Sequence, residues 1–339
     1  MIKMDKKMEK TKVLLIGNGI YRAFHGEEES WENVLRFVKK EFEKLGMSLN
    51  LEPSSKISYS LYFEYLYSVW KKNKGPQANE STAWSSFSYE VAEILKGKYN
   101  SPEFAEYAPV VNKMIWNHFD FVLTTNVDNR FEKNGMNLDE GGGSDDDEDD
   151  EWEPACNRKW KYSVYRRKES QDGKRKIFYM HGELSKPSSI CFGLDHYLGE
   201  YMCQYKFLYG MKSNENNTVL DRLHGKKAVI DDDRKNSWLY HFFFNDVDIV
   251  GQGLNKDEID IWWAIEKRFQ YRWQRKDKPI EENSVKYFFP SSEIDTNHDK
   301  IELLRAMNVC PIVIPCSSYR EFYKIYFEDF AGNNCLNDK

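Results

Sequence analysis

The 339-residue chain predicts an α/β fold, a parallel sheet covered by helices on both faces and interrupted by a helical subdomain. Short apolar runs of strand length recur along it, three of them ending in glycine, as in "KVLLIG" at 12–17. Continuous apolar runs of this kind suit strands buried on both faces. Between them lie blocks with apolar residues every three or four positions, the spacing of a helix. Strands alternating with helices imply crossover connections, and hence parallel pairing.

After the first strand, "SWENVLRFVKKEFEKLG" (30–46) reads as a helix, with Ser30 as its cap and Gly46 closing it. Residues 57–118 are rich in Tyr, Phe and Trp at helical spacing and read as a helical layer whose rings fill a core. "FDFVLTTN" (119–126) is a strand, 159–167 a possible one, and "KIFYMHG" (176–182) and "SICFG" (189–193) are two more. A second helical block covers about 196–225. "DVDIVGQGL" (246–254) is a strand, followed by a helix over 256–273. "SVKYFFP" (284–290), a helix over 299–307, "VCPIVIP" (309–315) and a helix over 318–330 complete the pattern. The chain is read as one domain: a sheet-bearing part (12–53 and 119–330), helical insertions (57–118 and 196–225), and a loop (139–153).

That loop, "DEGGGSDDDEDDEWE", holds ten acidic residues and no basic one, and reads as a disordered, solvated insertion. It accounts for the net charge of −6, and the remainder of the chain is mildly basic. No apolar run reaches the roughly 18 residues that would span a membrane, and "MIKMDKKMEKTK" lacks the apolar centre of a secretory signal. A cytoplasmic protein with reduced thiols is expected. The six cysteines (Cys156, Cys191, Cys203, Cys310, Cys316 and Cys335) form no C-x-x-C pair, and the histidines show no metal-ligand spacing, so no metal is expected.

Four constellations stand at strand ends, where ligands bind in parallel sheets. "LLIGNGIYR" presents Gly17, Asn18, Gly19 and Arg22. A G-x-G turn lets backbone N–H groups approach a phosphate, but a tight strand-to-helix turn uses the same glycines. The third glycine of the dinucleotide fingerprint would fall at Arg22. "FVLTTNVDNRF" turns from apolar strand to Thr124, Thr125, Asn126, Asp128, Asn129 and Arg130, more polar groups than a self-bonded turn requires. "YMHGELSKPSSICFG" places His181 before Gly182, where it can serve as a base or be a buried, hydrogen-bonded histidine. "DVDIVGQGLNKDEIDIWW" offers a second glycine turn, Gly251, Gln252 and Gly253, opening a helix with Asn255 as candidate cap and Asp257 and Glu258 in its first turn. Two such turns from one sheet fit a dinucleotide better than a mononucleotide. There is no G-x-S-x-G elbow and no phosphate loop of the G-x-x-x-x-G-K-[ST] kind, which argues against hydrolase-elbow and P-loop readings.

The order G-N-G-I, T-T-N-V-D, H-G, G-Q-G-L resembles the sirtuin family, whose counterparts read roughly G-A-G-I-S, T-Q-N-I-D, H-G and G-T-S-L. More narrowly it resembles the bacterial sirtuin-like domains of antiphage defence, over about residues 12–327. The resemblance implies a Rossmann-like sheet with an inserted helical region. It implies catalytic roles for Asn126 and His181, and a hold on the nicotinamide carboxamide by Asp128. Gly17, Asn18, Gly19 and Arg22 would line the phosphate and ribose region, Thr125 would stand beside them in the T-T-N-V-D motif, and Gly251, Gln252 and Gly253 would contact the adenosine half. Thr125 replaces the family glutamine, Tyr21 the serine, and Gln252 and Gly253 the Thr-Ser pair, and the zinc-binding cysteine pairs of deacetylating members are absent. The implied activity is therefore hydrolysis of NAD to nicotinamide and ADP-ribose by an abortive-infection effector. A homo-oligomer and a separately encoded activator, an ATPase or a nucleic-acid sensor, are the implied partners. An NAD- or ADP-ribose-sensing module without turnover, and an NAD-dependent deacylase, are the alternatives.

Overall fold

The computed structural model describes residues 11–54, 56–75, 80–132, 163–170, 172–209, 232–273 and 283–331. The acidic loop 139–153 and the 210–225 part of the second helical block lie outside the described residues. Seven strands form one sheet: β1 (Lys12–Ile16), β2 (Phe121–Thr124), β3 (Arg167–Glu169), β4 (Lys176–Tyr179), β5 (Asp246–Val250), β6 (Val285–Pro290) and β7 (Cys310–Ile314). Their order is β3-β4-β2-β1-β5-β6-β7. All neighbours pair in parallel except β3, which adds an antiparallel edge to β4. The six parallel strands run outward from β1 in one direction and then, from β5, in the other. This is the order of the doubly wound dinucleotide-binding sheet, with its reversal between β1 and β5. The fold is thus α/β and Rossmann-like, as the strand–helix alternation implies.

Both faces of the sheet are covered, because successive side chains of a strand point opposite ways. Val13 and Leu15 join Leu123, Phe178, Val247 and Ile249 in one core. Leu14 and Ile16 join Val122, Ile177, Val250 and Phe288 in the other. The first face packs on helices α9 (Trp238–Phe244) and α10 (Ile259–Trp273), and receives Phe207 and Leu208 of α7 (Leu194–Tyr209). The second is covered by α6 (Ala108–Trp116) and α12 (Tyr319–Ile325).

A third core lies beside the carboxyl ends of the strands. It is built by α2 (Trp31–Lys44), α3 (Tyr59–Lys74) and α4 (Glu80–Tyr99). Ser30 caps α2, its hydroxyl accepting from the Asn33 N–H, as the sequence suggests. The helical subdomain differs from the expected 57–118 at both ends. The apolar face of α2 (Val34, Leu35, Val38, Phe42) turns onto α3 and α4, so α2 belongs to it, whereas Val111 and Ile115 of α6 turn onto the sheet.

Residues 189–193 form no strand. Ile190, Cys191 and Phe192 are buried, but the segment crosses the mouth of β4, bonded through Cys191 N–H to the His181 carbonyl (2.9 Å). A short apolar run records burial, not pairing. Cys191, Cys310 and Cys316 are free thiols, whereas Cys203 is disulfide-bonded, against the reading of reduced thiols throughout. Sequence spacing does not govern disulfides, which need only bring two Cα atoms within about 4.4–6.8 Å. No helix among the described residues is long and apolar enough to cross a membrane.

Candidate functional site

The sheet register places the four motifs level with one another. Ile16 pairs with Thr124 and with Val250, and Thr124 pairs with Tyr179. Asn18, Asn126, His181 and Gln252 each lie two residues beyond these partners, on four adjacent strand ends. The reversal point falls between the two glycine turns, and those turns touch: Gly19 N–H donates to the Gly251 carbonyl at 3.1 Å.

The glycines serve this contact. A Cβ on Gly19 would stand 2.6 Å from the Gly251 carbonyl oxygen and 2.9 Å from the Tyr323 hydroxyl, and a Cβ on Gly251 would stand 2.2 Å from the same hydroxyl. A Cβ on Gly17 would stand 2.2 Å from Gln252 Oε1. Gly253 is the least enclosed of the four: a Cβ there would stand 3.3 Å from the end of the Asn255 side chain, which can give way. The space that the glycines vacate is filled by Gln252 and Tyr323. Gln252 is itself tied down: Thr125 Oγ1 donates to its Oε1 (3.0 Å), and its Nε2 donates to Glu258.

After β2 the chain is held from within. Thr124 Oγ1 donates to the Ile16 carbonyl (2.9 Å) and accepts the Asn126 N–H (3.1 Å). Asn126 is 4% exposed, yet its Nδ2 has no hydrogen-bond partner among the described residues. A buried donor left without a partner costs about 1–3 kcal/mol, so this amide is available to a further hydrogen-bond partner.

Asp128 is placed differently from the resemblance. Its carboxylate is turned onto Arg130, accepting from Nε at 2.7 Å, from Nη2 at 3.2 Å and from the Arg130 N–H at 3.0 Å. Glu29 binds the same guanidinium, which lies between the rings of Tyr21 (3.8 Å) and Tyr99 (4.4 Å). Arg22 stays at the surface, paired with Glu27 at 2.6 Å, and Asn18 Nδ2 donates to the Glu29 carbonyl.

His181 is the one predicted site residue that lines an open pocket between the helical subdomain and the strand ends. Trp31, Leu35, Phe63, Phe192 and Tyr197 form its apolar walls, and Asn255, Asp257 and Glu258 its polar side. His181 is buried. Its Nε2 lies 3.0 Å from Asp260 Oδ2, and its ring meets Tyr197 edge-on with centroids 5.0 Å apart. Burial alone would lower the imidazole pKa, but the Asp260 carboxylate, together with Glu258 and Glu200, more than offsets it and the pKa is raised. Burial pushes the Glu258 carboxyl up to about 7 and that of Glu200, on α7, up to about 8. Neither Glu200 oxygen has a hydrogen-bond partner among the described residues, and the Arg166 guanidinium stands 3.9 Å away. Among the described residues, no three His, Cys, Asp or Glu side chains converge to hold a metal ion.

Asp260 and Glu200 were not singled out by the sequence. "KDEIDIWW" reads as an acidic first helical turn, and no spacing rule links 181 to 260 or 200. The helix begins at Ile259, so Asn255 is not its cap; the Asn255 N–H is instead taken by Glu258 Oε2 at 2.8 Å.

Fold and site together define a class: a doubly wound α/β protein with polar groups converging at the reversal of its sheet. No protein-family model matches the chain, and no curated protein matches it either.

Proposed function

We propose that this chain is a sirtuin-like NAD glycohydrolase acting as the effector of an antiphage system. The observation that carries the reading is the level placement of Asn126 and His181 on adjacent strand ends, beside the reversal point of a dinucleotide-type sheet. The unpartnered Asn126 amide adds to it.

The chemistry suits these groups. Nicotinamide leaves a cationic pyridinium as a neutral molecule, so the departing group needs no protonation. What is needed is an oriented water and stabilisation of an oxocarbenium-like ribose. The Asn126 amide can orient water or a ribose hydroxyl without titrating, and His181 can take the proton. Asp128, bound to Arg130, supports the path of the segment.

A second reading is a module that binds NAD or ADP-ribose without turnover, which uses the glycine turns but does not need His181. Gln252 and Tyr323 fill the space between the glycine turns, so a pyrophosphate there requires Gln252 to move. Within the glycohydrolase reading the same packing accounts for a resting state released by an activator or by oligomerisation.

Incubation of the purified protein with NAD, alone and with the products of neighbouring genes, separates the readings. Glycohydrolase activity predicts release of nicotinamide and ADP-ribose, reduced roughly 10²-fold or more by Asn126→Ala with the fold retained in circular dichroism. NAD binding by calorimetry that survives His181→Ala, with no nicotinamide released by either protein, supports the binding module. If Asn126→Ala unfolds the chain, Asn126 is a turn residue.

A further inference from the structure

We propose that Asp260 is the positioning residue for His181: its Oδ2, 3.0 Å from Nε2, keeps the proton on that nitrogen and leaves Nδ1 as the atom that accepts a proton at the pocket. The use of Nδ1 in turnover rests on the glycohydrolase reading; the pairing itself does not.

The contact is built by the fold. His181 sits two residues beyond β4, its carbonyl held by the Cys191 N–H at 2.9 Å. Gly182, at φ +87°, lets the crossing segment come so close that a Cβ there would stand 2.1 Å from the Ser189 carbonyl oxygen. Asp260 lies in the first turn of α10, 1% exposed. Tyr197 fixes the imidazole plane from α7. The main chain and one ring face are therefore set by packing, and the remaining freedom, which nitrogen carries the proton, is set by Asp260. A carboxylate only accepts, so the contact requires Nε2–H. Asp260 Oδ1 has no hydrogen-bond partner among the described residues. The carboxylate thus depends on His181, and an uncompensated buried charge is costly.

The groups around the imidazole are acidic on each side. Asp260 faces it from α10, Glu258 and Asp257 from the loop before α10, and Glu200 from α7 with Arg166 behind it, while Tyr197 contributes a neutral phenol. In the hydrolytic step, Nδ1 takes a proton from water as the oxygen bonds to the ribose carbon. The carbon–nitrogen bond breaks with its electron pair going to the pyridinium nitrogen. Neutral nicotinamide leaves, and the imidazolium, paired with Asp260, returns its proton to solvent.

The test uses full-length protein labelled with ¹⁵N and ¹³C in histidine, with the His181 ring signals assigned by their loss in His181→Gln. In the wild type, Nε2 is expected to carry the proton in the neutral ring. Asp260→Asn is expected to lower the His181 titration midpoint by about one pH unit or more, a ~tenfold loss of proton affinity, and to abolish the tautomer preference. Asp260→Glu, which retains a carboxylate on the same helical turn, is expected to keep a raised midpoint and decides the matter if Asp260→Asn does not fold. An unchanged midpoint and tautomer in Asp260→Asn, or a free-imidazole midpoint in Asp260→Glu, overturns the proposal. In nicotinamide release, Asp260→Asn is expected to lower kcat roughly 10²-fold with little change in KM, and to move the acidic limb of kcat/KM to lower pH. If the wild type releases no nicotinamide, the glycohydrolase reading fails while the ring titration still decides the pairing.

Discussion

Arg130 is fully buried, and the groups around it explain why the segment after β2 is so polar. Asp128 and Glu29 accept from its guanidinium, while Tyr21 and Tyr99 cover its faces. Buried ion pairs of this kind add little net stability but penalise any other arrangement of the chain. The network therefore fixes the exit of β2, so that the neighbouring Asn126 amide can remain unbonded. Glu200 is a contrasting case, a buried carboxyl with no hydrogen-bond partner among the described residues and with the Arg166 guanidinium no nearer than 3.9 Å. Burial raises it to about 8, and raises Glu258 to about 7. Both folded values lie above the unfolded one, so the folded state binds these protons more tightly. The stability they contribute is fully present below the unfolded value of about 4.3 and is lost as pH rises through about 7 and about 8. His181, also raised, acts in the same direction. The thermal midpoint is therefore expected to fall between about pH 5 and pH 8, and Glu200→Gln to flatten the fall at its upper end. Differential scanning fluorimetry across that range checks it; an equally steep fall in Glu200→Gln would show that the carboxyl is not held in this environment.

The glycine turns make a sharper claim about elements. Gly251 has φ +63°, and its missing Cβ faces the Tyr323 hydroxyl, whereas Gly253 has neither constraint. Gly251→Ala should cost about 2–4 kcal/mol from backbone strain and overpacking, and Gly253→Ala no more than about 0.5 kcal/mol. Tyr323→Phe should recover part of the Gly251→Ala loss, because it removes the colliding hydroxyl. Urea unfolding of the four variants measures all three; equal losses at the two glycines would show that the turns do not interlock. Much at this level was legible in the sequence. β1, β2, β5 and β6 are apolar runs with polar or glycine ends, and Ser30 marks the start of α2. Parallel order then puts Asn18, Asn126, His181 and Gln252 at one edge. What stayed hidden depends on distant partners. The same G-N-G and G-Q-G letters describe a phosphate cradle or two turns packed on each other, and only the position of Tyr323 separates them. "SICFG" is as apolar as a strand but crosses one. Asp128 points to Arg130 rather than to a pocket because Glu29, about a hundred residues away, completes the pair.

At the scale of the whole molecule, the sheet supplies the polar strand ends and the helical subdomain supplies the opposite wall of the pocket. The two are joined through the loops that carry the site. Val127 after Asn126, and Leu184, Ile190 and Phe192 after His181, are buried in the core of α2, α3 and α4. Phe192 is the central link, meeting Trp31 and Phe63 edge-on with centroids 5.0 and 5.1 Å apart, and all three rings line the pocket. Phe192→Ala removes this link without touching a polar group. It should cost about 3–5 kcal/mol of stability, the range for truncating a buried phenylalanine. In the glycohydrolase reading the wall binds ground state and transition state alike. The KM for NAD should therefore rise, on the order of tenfold, while kcat changes little, whereas Asn126→Ala should lose kcat. Urea unfolding and steady-state nicotinamide release, measured below the unfolding transition of the variant, give both numbers. A loss under about 1 kcal/mol with an unchanged KM would mean that the helical subdomain neither holds the loop after His181 nor walls the substrate. A fall in kcat as large as that of Asn126→Ala would mean that Phe192 sets the position of the reacting groups, because only an interaction made specifically in the transition state lowers kcat in that way.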